Sequence, residues 1–475
     1  KNLMLGLFGT LNMGARSLQT QQQGVEVAGH NLANVNNPAY ARQRMQIQSS
    51  ATVPDAVGPQ GTGAENAAIM QVRSALVDRQ LFGEISITGL LEAEQQAYQY
   101  AQANLGQQID RTASGVEGAA AGSQNGLAEY LNGMFASWQS LSTNPTSSAE
   151  RQVLLLKAQS LATQFNQVDQ RLTNLRGALN DTVGSDVEKV NNLLSEIADL
   201  NQKITNTEHS SNGMANDLRD TRVARVEELS KLINIRATEL NNGSINISID
   251  GNLVVDEQDL LDTVTTYDDG TGRLFTRLQT GGTNLNLTGG TIAGAINARD
   301  GGVQALQDGL NNLASLLISE VNAIHQPGFS LTGSTGQPFF TGTNAGDIQI
   351  SQTLLNDPSL VQVSNDASAV GNNRIALQIA QLANQPLGAL SGQTFGQKYG
   401  KIVAALGQNL ESVNDSLSNQ KSVESIIRRQ RDSISGVSLD EEMTDLLRFQ
   451  RAYQASAKLI STVDEMLEIV MSLKR

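Results

Sequence analysis

Cysteine is absent from the 475 residues. That excludes disulfides, thiolate catalysis and cysteine-based zinc sites. Aromatic residues are scarce, with 10 Phe, 7 Tyr and a single Trp. Cores must therefore rest on Leu, Ile, Val and Ala, which suits helix seams better than a compact aromatic-rich enzyme core. Basic residues are outnumbered, 33 Lys and Arg against 47 Asp and Glu, for a net charge of −14. The chain lacks the cationic footprint that a nucleic acid or an anionic membrane surface demands. The longest unbroken run of Val, Ile, Leu, Met or Phe is Val153–Leu156, too short for a membrane-crossing helix. Lys1 and Leu3–Phe8 imitate the start of a signal peptide, but Gly6, Gly9 and Thr10 dilute it and no cleavage site follows. At roughly 150 residues per domain, the length predicts about three domains.

Catalytic constellations are missing as well. The three histidines, His30, His209 and His325, are far apart, and none stands in an H-E-x-x-H arrangement. They read as hydrogen-bonded structural residues. Gly328–Thr332 lacks the final glycine of a nucleophile elbow. Gly400-Lys401-Ile402 lacks the rest of a phosphate loop, and no G-x-G-x-x-G is present around 281–290. Asp268/Asp269 and Glu441/Glu442 could supply the two carboxylates of a glycosidase. Turn chemistry explains the first pair, and the dipole at a helix start explains the second. The expectation is a protein with no catalytic residue, no metal and no cofactor. A secreted peptidoglycan-acting enzyme is the rival from a different class.

Helical periodicity is what the sequence does contain. One seam runs from Leu161 through Phe165, Val168, Leu172, Leu175, Leu179, Val183, Val187, Val190, Leu194 and Ile197 to Ile204. Ser147 and Glu150 form a capping box before it, and Gly177 and Gly184 are candidate breaks within it. A second seam runs from Ile292 to Ile324 with Arg299 as its polar interruption. A third runs from Ile402 to Ile434, and a shorter one follows Ile69, Val72 and Leu76. Several long stripes predict a helical bundle, because each needs another to cover it. Between 236 and 290 the period changes to two, with Asp250-Gly251 as a hairpin turn. Residues 326–395, rich in Pro, Gly, Ser and Thr, read as a small β-rich insert.

Both ends carry amphipathic helices. Leu3, Leu7, Leu11 and Leu18 share one face. Leu446, Tyr453, Ile460, Val463, Leu467 and Val470 share another, behind a cap at Ser438–Glu441 and a stop at Gly436. Such helices have no local core and cannot bury their stripes alone. Residues 1–50 hold four basic residues and one acidic, and residues 436–475 hold five basic and seven acidic. The acid-rich C-terminal helix does not suit a membrane surface. The stripes are expected to cover each other and those of neighbouring subunits.

Two segments carry a resemblance: GHNLANVNNPAYARQ at 29–43 and SGVSLDEEMTDLLRFQRAYQASAKLISTVDEMLEIV at 435–470. Together they resemble the axial proteins of the bacterial flagellum, the rod, hook and junction class, most closely its hook-associated protein 1 family. Asn31, Asn34, Pro38 and Tyr40 match the axial signature, and Arg42 leans toward the hook-associated branch. The interior segments 216–235, 292–300 and 320–340 are also similar. Asn37, Ala39 and Ala41 depart from the usual pattern, and Ala39 after Pro38 implies a turn that does not demand positive φ.

The resemblance implies a structural adapter that joins hook to filament, with a hook or distal-rod subunit as the nearest alternative. It implies a ring of identical subunits in contact with the hook protein and with a second junction protein. It also implies export without a cleaved signal, a chaperone on the C-terminal region, an extracellular flagellar location, and terminal helices that order on assembly. The fold expected is mainly α with β inserts: an elongated multidomain protein with a long helical bundle, terminal helices forming an antiparallel coiled-coil pair, and a small outer β-rich domain. The domains expected are 1–60 with 436–475, then 61–325 with 396–435 including the β excursion, then 326–395. Leu3, Leu7, Leu11, Leu18, Leu446, Tyr453, Ile460, Val463, Leu467 and Val470 are the candidate assembly residues.

Overall fold

The computed structural model describes residues 6–54, 58–106, 126–210 and 213–472. Helix α1 (Leu7–Ala33) leads into a ribbon of β1 (Gln43–Ser49), β2 (Thr52–Val53), β3 (Gln60–Gly61) and β4 (Ala64–Gln71). Four helices follow: α2 (Ala75–Asn104), α3 (Leu127–Thr143), α4 (Ser148–Ser210) and α5 (Asn216–Leu232). The β excursion comprises β5 (Arg236–Glu239), β6 (Ile245–Ile249), β7 (Asn252–Asp256), β8 (Asp259–Leu260), β9 (Val264–Asp268) and β10 (Leu274–Leu278). After it come α6 (Gly290–Ala298), α7 (Gln304–His325), β11 (Phe340–Thr341), β12 (Gln349–Ile350), α8 (Gln352–Asn356) and α9 (Arg374–Gln381). The chain ends with α10 (Phe395–Ser435) and α11 (Leu439–Ser472).

The spine is α4. Its 63 residues rise about 95 Å at 1.5 Å each. Every member of the seam from Leu161 to Ile204 is buried. Ser147 Oγ accepts the Glu150 amide at 3.3 Å, one half of the expected capping box, while the Ser147 amide donates to Asn144 O instead. Gly177 and Gly184 do not break the helix. A glycine costs about 1 kcal/mol in a helix interior, and the buried stripe on either side outweighs that.

The second seam is also one continuous rod, α6 running into α7 through a π-helical turn at Arg299–Val303. Arg299 is the first residue of that turn. It is fully buried, and it donates to Asn180 Oδ1 at 2.6 Å, the Leu274 carbonyl at 2.7 Å and both Asp300 oxygens. Its guanidinium also stacks on Phe275. In α10, Leu406, Leu410, Val413 and Leu417 are buried, whereas Ile434 is exposed. α2 packs against α5, α6 and α10. At α6 it is so close that a Cβ on Gly294 would stand 2.3 Å from the Leu90 carbonyl.

The excursion folds as a four-stranded antiparallel sheet in the order β5-β6-β7-β8, beside the β9-β10 hairpin. Asp250 (φ 48°) and Gly251 (φ 78°) make the tight turn between β6 and β7. Asn201 and Asn191 on α4 hold the sheet by its backbone, donating to the carbonyls of Ile245 and Val264 at 2.8 Å each.

Two expectations need correction. Ile69 lies in β4, which pairs antiparallel with β1, and not in a helix ending at Leu76. The short stripe is the meeting of a strand with the start of α2. Residues 326–395 are not β-rich: the described strands are the two-residue pair β11 and β12, among short helices and turns. The Asp and Asn side chains there bind nearby amides, as Asp347 does with Thr343 and Asn344 and Asp366 with Ser368. Such side chains favour turns over strands. Nor is the segment detached from the core. Phe339 and Phe340 are buried, with Phe339 packed on Trp138 and on His325.

Candidate functional site

The two ends of the chain meet. Gly14 faces Leu459 and Ile460, Ser17 bonds Ser456 at 3.0 Å, Gly24 faces Phe449, and Asn31 bonds Glu442. Progress along α1 is retreat along α11, so the pair is antiparallel. The seam on α1 is made of small and polar residues at alternating steps of three and four: Gly14, Ser17, Gln21, Gly24, Ala28 and Asn31. Gly14, Gly24, Ala28 and Asn31 are buried. Small residues let the backbones approach, and the larger side chains of α11 fill the gap.

Leu7, Leu11 and Leu18 are half-buried, and Leu3 lies outside the described residues. On α11, Val463 is buried, while Leu446, Ile460 and Leu467 are half-buried. Tyr453 and Val470 are exposed, as are Leu439, Met443, Leu447, Leu459, Met466, Ile469 and Met471. Phe8 on α1 is 71% exposed. The α1 leucines are thus only partly covered, and the close approach of the two helices falls at Gly14, where Ile460 of the predicted α11 stripe meets α1, and at Gly24. The sequence signal for the real seam is the spacing of small residues.

The signature residues Asn31, Tyr40 and Arg42 build a joint between this pair and the bundle. α1 is capped by Asn34, whose amide reaches the carbonyls of His30 and Asn31 and whose side chain donates to His30 O at 3.0 Å. Ala39 adopts no positive φ, so the turn tolerates it. Asn31 uses all of its polar atoms. Its Nδ2 donates to Gln43 O at 2.9 Å and Glu442 Oε2 at 3.0 Å. Its Oδ1 accepts from the Gln43 amide at 2.9 Å and the Tyr40 hydroxyl at 2.7 Å. His30 Nδ1 stands 3.0 Å from the same hydroxyl. Burial raises the Tyr40 pKa, and the charges of Asp220, Asp217 and Glu442 raise it further.

Arg42 is the central cation. It contacts Glu441, Glu442 at 2.5 Å and Asp445 at 3.8 Å, all on the first turns of α11. Burial works against its charge, but the carboxylates of Glu441 and Glu442 outweigh that and raise its pKa. The Arg42 amide donates to Ser435 O, the last residue of α10. The bundle answers with Asp220, which accepts the Ala41 amide and pairs with Arg73 at 3.0 Å. Burial pushes the Asp220 carboxyl up to about 6, partly offset by Arg73. Arg431 pairs with Glu227 at 2.6 Å and donates to the carbonyl of exposed Pro38 at 3.0 Å.

Asp220, Arg73, Arg431 and Glu442 were not legible as joint residues. They lie up to 411 positions from the signature, and only the fold unites them. Glu441 and Glu442, read as dipole partners, do sit in the first turn of α11, but they also clasp Arg42. Among the described residues there is no cluster of three or more His, Cys, Asp or Glu able to hold a metal, and no helix is long and apolar enough to cross a membrane. His325 is buried between Gln337 O and the Gln362 amide, and burial pulls its pKa down to about 4.

Comparison with known proteins places these observations. Residues 113–340 match the family described as flagellar hook-associated protein FlgK helical domain, and residues 429–473 match flagellar basal body rod FlgEFG protein C-terminal. Flagellar hook-associated protein 1 of Bacillus subtilis is 25% identical, with 99% of each chain covered. That of Escherichia coli is 21% identical, over 98% of this chain and 99% of its own. The solved flagellar hook junction protein FlgK from Burkholderia pseudomallei aligns with a TM-score of 0.64 at 14% identity, covering 75% of this chain and all of its own. That likeness establishes a shared fold. Along essentially its whole length the chain is similar to relatives named flagellar hook-associated protein 1.

Proposed function

We propose that this chain is a non-enzymatic structural adapter of the bacterial flagellum, a subunit that joins the hook to the filament. One observation carries the reading: α1 and α11 pair with each other yet leave Phe8, Met443, Ile469 and Val470 exposed. A helix pair with large apolar side chains on its outer surface is built to be covered by further copies. The joint at Asn31, Tyr40 and Arg42 fixes how that pair leaves the bundle, so each subunit presents it at one angle.

Homology supports the flagellar setting, since the relatives named hook-associated protein 1 match from end to end. The partners of this reading are identical subunits in a ring, the hook protein on one side and a second junction protein on the other. An export chaperone holds the C-terminal region beforehand. The subunit leaves the cell without a cleaved signal and works outside it. A hook or distal-rod subunit is the second reading, favoured by the match of residues 429–473 to the rod-protein C-terminal family.

The test is complementation of cells that lack their own hook-associated protein 1. The full chain is expected to restore filaments, with labelled protein at the hook tip in electron micrographs. A chain truncated after residue 438 is expected to be folded and to leave hooks bare. Label along the hook shaft or below it favours the second reading, and truncated chains seated at hook tips reject the role given to α11.

A further inference from the structure

Beyond Arg73 lies a cavity of about 290 Å³, walled by the start of α2, the first turns of α5 and strands β5 and β6. The protein is acidic overall, yet this cavity gathers Arg73, Arg79, Arg219 and Arg222. Two of them are neutralised. Arg73 pairs with Asp78 at 3.3 Å and Asp220 at 3.0 Å, and Arg219 with Glu208 at 2.7 Å and Glu239 at 2.6 Å. The other two are not. Arg79 donates to its own helix at Ala75 O and has no ion-pair partner among the described residues. Arg222 is 1% exposed, and its Nη1 donates only to neutral oxygens, Asn201 Oδ1 at 2.8 Å and Gly243 O at 2.7 Å. Its one carboxylate partner, Glu239, stands 4.0 Å away and is already shared with Arg219. The Nε atoms of Arg222 and Arg73 are buried without hydrogen-bond partners.

A buried cation without a close counter-charge is expensive, and an anion in the adjoining space would offset the cost. Burial and the neighbouring Arg219 pull the Arg222 pKa down to about 10, as expected for a cation short of negative charge. Phe82, Val223, Ala237 and Ile245 give the wall an apolar stretch, beside Gln71, Thr238 and the carboxylates of Asp78 and Glu239 that pair with Arg73 and Arg219. A bare inorganic oxyanion would leave that surface unused.

We propose that this cavity binds a carboxylate on a short apolar stem, its head among the four guanidinium groups and its stem against Phe82 and Val223. Planar guanidinium forks suit carboxylate geometry. The carboxylate belongs to a small free acid or to a glutamate side chain of another protein. The site is separate from the terminal helices, so it stands whether or not the adapter reading does.

The test uses the full chain. Calorimetric titration and thermal unfolding are followed with butyrate, with a terminally blocked peptide carrying one glutamate, with inorganic phosphate, and with sodium chloride at matched ionic strength. Saturable binding of butyrate is expected, with a rise in unfolding temperature that chloride does not produce. Binding of the peptide without binding of butyrate assigns the protein source instead. Arg222 is too enclosed for a clean substitution, so the variant is Arg79→Glu, which reverses charge on an exposed wall residue. It should weaken binding at least tenfold and leave the ligand-free unfolding temperature unchanged. No binding of either carboxylate, an equal response to phosphate or chloride, or undiminished binding by the variant overturns the proposal.

Discussion

The bundle and the terminal pair are both helix packings, but they are finished to different degrees. Along α4 every apolar residue of the seam from Leu161 to Ile204 points inward and is buried. In the α1–α11 pair the α1 side of the seam is small and polar, while Phe8, Ile469 and Met471 are more than half exposed. The bundle is stabilised by its own burial, at roughly 25 cal/mol per Å² of apolar surface. The terminal pair withholds much of that surface and relies on close backbone approach and the Arg42 clasp. One region covers its apolar seam within a single chain, and the other leaves large apolar side chains exposed.

The sharpest way to separate them is a pair of core truncations. Leu194→Ala removes a fully buried side chain from the bundle and should cost roughly 2–5 kcal/mol in a denaturant titration. Val463→Ala removes the buried apolar anchor of α11. It should leave the bundle's transition in place and speed hydrogen exchange in 439–472 alone. If both variants shift the main transition alike, the two regions form one cooperative unit and the contrast fails.

Arg42→Ala tests the clasp. It strands buried Glu442 without its cation, a change that typically costs roughly 3–5 kcal/mol where the pair is enclosed. Glu441 is largely exposed, so its share is small. The loss should appear as faster exchange along α11 and a mobile terminal pair, with the bundle's unfolding midpoint nearly unchanged. Arg42→Lys should recover only part, because a single ammonium cannot reproduce a fork shared between Glu441 and Glu442.

Acid should act on the two regions with opposite sign. The Asp220 carboxyl rises to about 6 at the joint. Its native state binds the proton more tightly than the unfolded chain does, so that stabilisation is full below the usual carboxylate pKa and is lost as pH climbs through 6. His325 falls to about 4. Its contribution is present above 6.5 and is lost as pH drops toward 4. Each is bounded at about 3 kcal/mol. Asp220→Asn should therefore steepen the loss of stability between pH 6.5 and 4, and His325→Gln should flatten it. Stability curves at half-unit pH steps give both slopes.

What the sequence made legible follows physical range. The seams on α4 and α7, the Asp250-Gly251 turn and the cap at Ser147 depend on neighbours a few residues away, and all are in the structure. The joint depends on residues brought from 31, 42, 220, 431 and 442, and no local period encodes that. α2 escaped notice because it is packed on several sides, with Leu81, Phe82, Ile85 and Gly89 all buried, and so shows no single stripe. The insert at 326–395 misled for another reason. Its Ser, Thr and Asp residues suit turns, and turns flank strands as readily as short helices. The leucines at 7, 11 and 18 are conspicuous by size and only half-buried, whereas Gly14 and Gly24 mark where the helices already touch.

The smallest effect on stability should carry the largest effect on assembly. Ile469 is 59% exposed on α11 and touches neither the Arg42 clasp nor the Gly14–Ile460 contact. Ile469→Ser should change the isolated chain's stability by no more than about 0.5 kcal/mol, the usual range for a surface site. In a ring of copies the same side chain would be buried, and each subunit would lose its share of apolar contact. The variant should therefore be exported and folded yet under-represented on hook tips when it competes with the unaltered chain in one cell. Equal incorporation would mean that the outer face of α11 stays in water after assembly. The terminal pair would then be as self-sufficient as the bundle, and the exposed apolar residues would need another explanation.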